Sequence, residues 1–143
     1  MNEAQRAVVL DACVVIAHFE ANDAHHERAT KLLEGIADRQ LEISTLTLAE
    51  VLVGAVRNDT ESRVEQFLRE LNVTTRGLGG AMDATELAAM DATELAHLRV
   101  HSGLKMPDCM VLHLAKSPWA DVATFDDRLA RAARDHQLLV IDS

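Results

Sequence analysis

Four short runs are too short to be helices and too apolar to be loops: Val8-Val9-Leu10-Asp11, Leu41 to Thr45, Asp121 to Phe125, and Leu138 to Asp142. Helix-length segments lie between them. Residues 12–35 read as helical with a break near Asn22-Asp23, and Thr47 to Asn58 and Thr60 to Leu71 read as two further helices. A long helix runs to about His101 and is ended by Gly103, and Pro107 opens the next helix in its first turn. A last helix covers 127–136, and residues 73–78 read as one more short strand before a loop marked by Gly77, Gly79 and Gly80. Strands that alternate with helices imply βαβ units, and hence a parallel sheet covered on both faces. No Ser/Gly-rich linker divides the chain, so residues 1–143 are expected to form one domain. Met82–Ala89 and Met90–His97 are near-copies, MDATELAA and MDATELAH. Eight residues turn a helix by about 800°, so the copies face different ways and read as a duplication absorbed by one helix.

Composition narrows the class. With 48% hydrophobic and 26% charged residues the chain is ordinary globular protein. At this length a core can bury about two thirds of the unfolded surface without disulfide or zinc. Asp11 separates the apolar runs 7–10 and 12–17, and neither approaches the roughly 18 residues of a membrane span. The start, MNEAQR, lacks the cationic-then-apolar order of a signal peptide, so a cytoplasmic protein with no membrane contact is expected. Cys13 and Cys109 have no short-spacing pattern, which fits a reducing compartment and argues against a metal finger.

The net charge of −9 repels nucleic acid at long range. It does not exclude a nuclease that meets phosphate through metal, because ligand carboxylates add to the negative count. The only aromatic residues besides histidine are Phe19, Phe67, Phe125 and Trp119, too few for a platform that stacks single-stranded bases.

In an open parallel sheet, ligands bind beyond the carboxyl ends of the strands. Asp11 closes the first strand, and Asp126 follows the run 121–125. Glu50 lies in the first turns of the helix after Leu41–Thr45, and Asp108 in the first turn of the helix opened by Pro107. All four are therefore expected at one edge of the sheet. Carboxylates gathered in one cleft repel unless cations lie between them or some are protonated, and hard oxygen ligands select Mg²⁺ or Mn²⁺. Each acid also has a plainer use. Asp11 and Asp126 can cap the helices that follow them. Thr47 and Glu50 fit a capping box, and Asp108 suits a helix dipole. Four unrelated uses at one edge explain less than one shared site. The helix of Glu50 adds weight: its apolar residues cover most of its circumference, leaving Thr47, Glu50, Gly54 and Arg57 as a polar stripe, so it is expected to be mostly buried, with Glu50 needing a partner.

The order Asp11, then Glu50 in TLTLAEVLVGAVR, then Asp108 in LKMPDCMVLHLA, then Asp126 in ATFDDRL resembles the PIN domain. Within that family it looks most like the ribonuclease toxin of a VapBC-type toxin–antitoxin pair, and the likeness runs from Val8 to Asp142. The spacing His26 to Leu33 is similar to the family's second helix. The resemblance implies a three-layer α/β/α sandwich around a parallel sheet, Mg²⁺-dependent RNA cleavage (Mn²⁺ as a substitute), and inhibition by a cognate antitoxin. A homodimer is the expected assembly. The acids carry over as Asp11, Glu50, Asp108 and Asp126, with Asp11, Asp108 and Asp126 as metal ligands. Thr124 matches a hydroxyl position that supports the fourth acid. The departure is Cys13, where the family usually has serine or threonine two residues after the first aspartate. A thiol is a weaker hydrogen-bond partner than a hydroxyl.

Arg57, Lys105 and Arg128 are the candidate cations for RNA phosphates. Other phosphoryl chemistries fit worse. A haloacid-dehalogenase-like phosphatase needs a second aspartate where Cys13 stands, and a response-regulator receiver needs paired acids that are not present. The pair His25-His26 reads as a solvated helix end rather than a zinc site. The alternative function is a PIN-fold protein-interaction module without useful nuclease activity, which leaves the complete acidic set without a use.

Overall fold

The computed structural model describes residues 6–77, 84–117 and 119–143, and for 84–90 the backbone alone. The elements are β1 (Val8–Leu10), α1 (Ala12–Phe19), α2 (His26–Gly35), β2 (Leu41–Ser44), α3 (Thr45–Arg57), α4 (Glu61–Glu70), β3 (Thr74–Arg76), α5 (Ala84–Ser102), α6 (Met106–Lys116), β4 (Asp121–Ala123), α7 (Asp127–Asp135) and β5 (Val140–Ile141). The strands form one sheet in the order β3-β2-β1-β4-β5, and every neighbouring pair is parallel.

Alternation along each strand produces two cores. Val8 and Leu10 face the layer that holds α1, α2, α3 and α4, whereas Val9 and Val122 face the layer of α5, α6 and α7. The result is the α/β/α sandwich expected of strands that are buried on both faces. After β1 the chain builds outward to β2 and β3, then returns to place β4 on the other side of β1. That reversal opens a crevice beyond the carboxyl ends of β1 and β4. Leu10 pairs with Ala123, so the next residues, Asp11 and Thr124, stand side by side at its mouth.

At the other end of the same strands, Asp121 is almost fully buried and accepts from Arg6 Nε at 2.8 Å and Arg39 Nη2 at 2.7 Å. A buried carboxylate persists only when its oxygens are satisfied this way. Gly103 closes α5 at φ +72°, a left-handed conformation that costs glycine little.

Three sequence expectations are corrected. The helix after β2 starts at Thr45, two residues early, because Ser44 is the cap: Thr47 N donates to Ser44 Oγ at 2.9 Å. Thr47 is therefore buried inside the helix and does not form a capping box with Glu50. The same helix is also less buried than its apolar pattern suggests, since Leu46, Val53 and Val56 are exposed. Gly79 and Gly80 of the glycine loop, and Met82 and Asp83 of the duplication, lie outside the described residues, while the rest of both copies runs through the backbone of α5. Among the described residues no helix is long and apolar enough to cross a membrane.

Candidate active site

Asp11 sits where β1 gives way to α1 and has both carboxylate oxygens engaged. Oδ1 accepts from Ala12 N at 2.8 Å, which makes it the cap of α1. Oδ2 accepts from Thr124 Oγ1 at 2.7 Å and from Cys13 Sγ at 3.1 Å. The helix cap and the contacts with Thr124 and Cys13 thus fall on different oxygens of one residue. Thr124 also ties the next acid to the first, because its Oγ1 accepts from Asp126 N at 3.0 Å. Asp126 in turn caps α7, its Oδ1 accepting from Arg128 N at 2.9 Å and Leu129 N at 3.0 Å.

Cys13 takes the place of a hydroxyl. Burial, and then the charge of Asp11, push its thiol up to about 12, so the sulfur keeps its proton and stays a donor to Asp11. Its Sγ also accepts from Phe125 N at 3.4 Å. The thiol therefore links the first turn of α1 to the segment that follows β4, though more weakly than an oxygen. Cys109 behaves differently: it is fully buried in the core of the α5–α7 layer.

Glu50 and Asp108 come from the opposite walls, α3 and α6. Burial, and then Asp11, raise the Glu50 carboxyl above its usual range. Asp108 is raised further, to about 6, by burial first and then by the charges of Asp11, Asp126 and Glu50, with Lys105 opposing. One carboxyl that feels three others means that four separate elements deliver their acids to one place. Three of them, Glu50, Asp108 and Asp126, line a cleft of about 350 Å³ together with Lys105 and Arg128, while Asp11 is buried behind it. Arg57 does not line it and stands exposed at the last turn of α3. Pro107 and Leu104 complete the wall beside Asp108. Leu104 carries no polar signal in the sequence, whereas Pro107 was legible as the residue that places Asp108 in a first turn.

Among the described residues, no three His, Cys, Asp or Glu side chains meet closely enough to form a ready-made metal cage. The donor set nevertheless fits a hard, hydrated ion. Mg²⁺ keeps several waters and takes one or two carboxylates rather than a full protein cage. Mutual repulsion of the four acids is what such a cation relieves. His25 and His26 do not converge on a metal: His26 Nδ1 lies 2.9 Å from Ala17 O, while the His25 ring packs 5.2 Å from Phe125.

A second hollow of about 240 Å³ adjoins Glu50 on the other side of α3. Ile16, Phe19, Val51, Gly54 and Val64 are among the residues that line it.

A family model described as PIN domain matches residues 8–135. No curated protein matches the chain. Several solved structures share the fold. A toxin–antitoxin complex from Klebsiella pneumoniae is 24% identical with a TM-score of 0.67, over 86% of this chain and 89% of that one. VapBC2 from Rickettsia felis, bound to a DNA fragment from its promoter, is 17% identical with a TM-score of 0.67, over 94% and 96%. The sarcin–ricin-loop-cleaving VapC toxin of Mycobacterium tuberculosis is 16% identical with a TM-score of 0.66, over 87% and 94%. At these identities the likeness is one of fold.

Proposed function

The chain belongs to the PIN-domain family, and from that premise we propose that it is a metal-dependent ribonuclease, the toxin of a cytoplasmic toxin–antitoxin pair. The observation that carries this reading is the cleft that brings together Glu50 of α3, Asp108 of α6 and Asp126 at the start of α7. An acidic cleft of this kind has little structural purpose and a direct catalytic one. The similar structures, toxin–antitoxin complexes and a sarcin–ricin-loop-cleaving toxin, support the same reading.

Asp11 and Asp108 would hold Mg²⁺ directly and Asp126 through water or at a second ion, with Mn²⁺ as a substitute. When bound, such an ion neutralises phosphoryl oxygens and lowers the pKa of water for in-line attack on phosphorus. The chain's own residues then do the following. Thr124 and Cys13 fix the Asp11 carboxylate so that it does not reorient during the reaction. Glu50, which burial and Asp11 hold above its usual range, orients the attacking water and receives its proton. Lys105 and Arg128, on the cleft wall, hold the phosphate against the negative surroundings.

The partner is an antitoxin. The hollow beside Glu50, whose walls mix Ile16, Phe19, Val51 and Val64 with Glu20, Asn58 and Arg63, receives an amphipathic segment of it, and an arginine from that segment engages the carboxylates bidentately. The toxin itself is a homodimer in this reading. Incubating single-stranded RNA with the protein in Mg²⁺ and in EDTA tests the activity: cleavage is expected only with the metal. Asp11→Asn should abolish it and relieve growth inhibition. Cleavage that is indifferent to EDTA would overturn the assignment.

A further inference from the structure

The acidic cleft does not end at Arg128. A second cleft of about 390 Å³ opens between the end of α5 and the outer face of α7, and it shares two wall residues with the first, Leu104 and Arg128. Arg131, His101 and His136 line it further along, and Asp135 is the acid in its wall. Arg128 and Arg131 are three residues apart on α7 and so project from the same side of the helix. Both are exposed, and neither guanidinium is committed to a hydrogen bond or ion pair within the described residues. Arg6 and Arg39 are spent on Asp121 and Arg76 on Glu42, whereas Arg134, on the same helix but outside this cleft, is exposed and lies 3.9 Å from exposed Asp142. Burial, and then Lys116, hold the His136 imidazole below its usual range, so near neutral pH it offers one donor and one acceptor.

We propose that this second cleft seats the RNA strand flanking the scissile phosphate, with Arg131 gripping a flanking phosphate and Arg128 bridging the two clefts. The inference rests on the ribonuclease reading and adds a direction to it: substrate leaves the carboxylates along α7, towards His101 and His136. A chain of net charge −9 gains no long-range attraction for RNA. Affinity must then come from local, charge-assisted contacts to phosphate. A substrate too short to reach Arg131 is consequently a poor one, and the His136 imidazole is placed for a ribose hydroxyl rather than for phosphate charge.

The test compares the wild type with Arg131→Gln, using Arg134→Gln as a control on the same helix. One arm measures steady-state cleavage of a mixed-sequence 20-nucleotide RNA and of a trinucleotide in Mg²⁺. The other measures binding of the labelled 20-nucleotide RNA in Ca²⁺ across a salt series. Arg131→Gln should raise KM for the long RNA by about tenfold with kcat kept, leave the trinucleotide unaffected, and flatten the salt dependence of log K by about 0.7 per lost phosphate contact. Arg134→Gln should match the wild type. Because Arg131 is exposed, the variant should melt like the wild type. Unchanged KM and unchanged salt slope in Arg131→Gln would overturn the proposal, as would RNA binding that is absent from the wild type. If the wild type binds RNA through Arg131 but cleaves nothing in Mg²⁺, the nuclease reading fails and the cleft stands.

Discussion

Asp11 divides its labour between its two oxygens, one capping α1 and the other held by Thr124 and Cys13. Thr124→Val should therefore cost about 1–3 kcal/mol, because it strips a donor from a buried carboxylate and an acceptor from Asp126 N, and it should lower kcat as Asp11 loosens. Chemical denaturation beside a cleavage assay reads both. Asp108 supplies the pH dependence. Its carboxyl goes from the ordinary 3.8 to about 6 on folding, so the folded state prefers it protonated. That contribution is fully present below about 4 and is lost as pH rises through about 6. In chelator, Asp108→Asn should melt higher than the wild type at pH 8, and the gap should close by pH 4. A gap that widens towards acid would mean that the shift has the opposite sign. The acids were legible because a short apolar run followed by a helix start is a strong local pattern. What Cys13 does was not legible, since a thiol in that place becomes a donor only when a carboxylate lies opposite it across the fold.

At the scale of elements, the sequence misplaced the start of α3. Ser44, Thr45 and Thr47 are all reasonable caps, and spacing alone favours Thr47 because Glu50 follows three residues later. The structure selects Ser44, because β2 ends there and its hydroxyl meets both the amide and the hydroxyl of Thr47. Ser44→Ala should cost about 1 kcal/mol, the usual worth of a cap, while Thr45→Ala should cost much less; thermal denaturation separates them. The outward face of α3 was also misread. Helical periodicity counts apolar residues without knowing which face the sheet covers, and Leu46, Val53 and Val56 remain exposed.

For the whole molecule, the alternation of strand and helix was enough to predict a parallel sheet between two helical layers. The strand order was not in the sequence, because it depends on which side of β1 the chain returns to after α6, and three-residue strands carry no pairing code. That order puts catalytic candidates at one end of β1 and β4 and the Arg6–Asp121–Arg39 cluster at the other. Asp121→Ala leaves two cationic groups without their buried partner and should destabilise the fold by about 3–5 kcal/mol. The folded variant at low temperature should still cleave RNA, since the cluster lies at the opposite end of β1 and β4 from the acids. The fold's reason for bringing four acids together is most directly tested by melting the wild type and Asp108→Asn with and without millimolar Mg²⁺. An ion that binds only the folded state raises the melting temperature of the wild type. The expected result is a clear rise for the wild type and little or none for Asp108→Asn. No shift in a correctly folded wild type, or an equal shift in both proteins, would contradict the four-acid metal site.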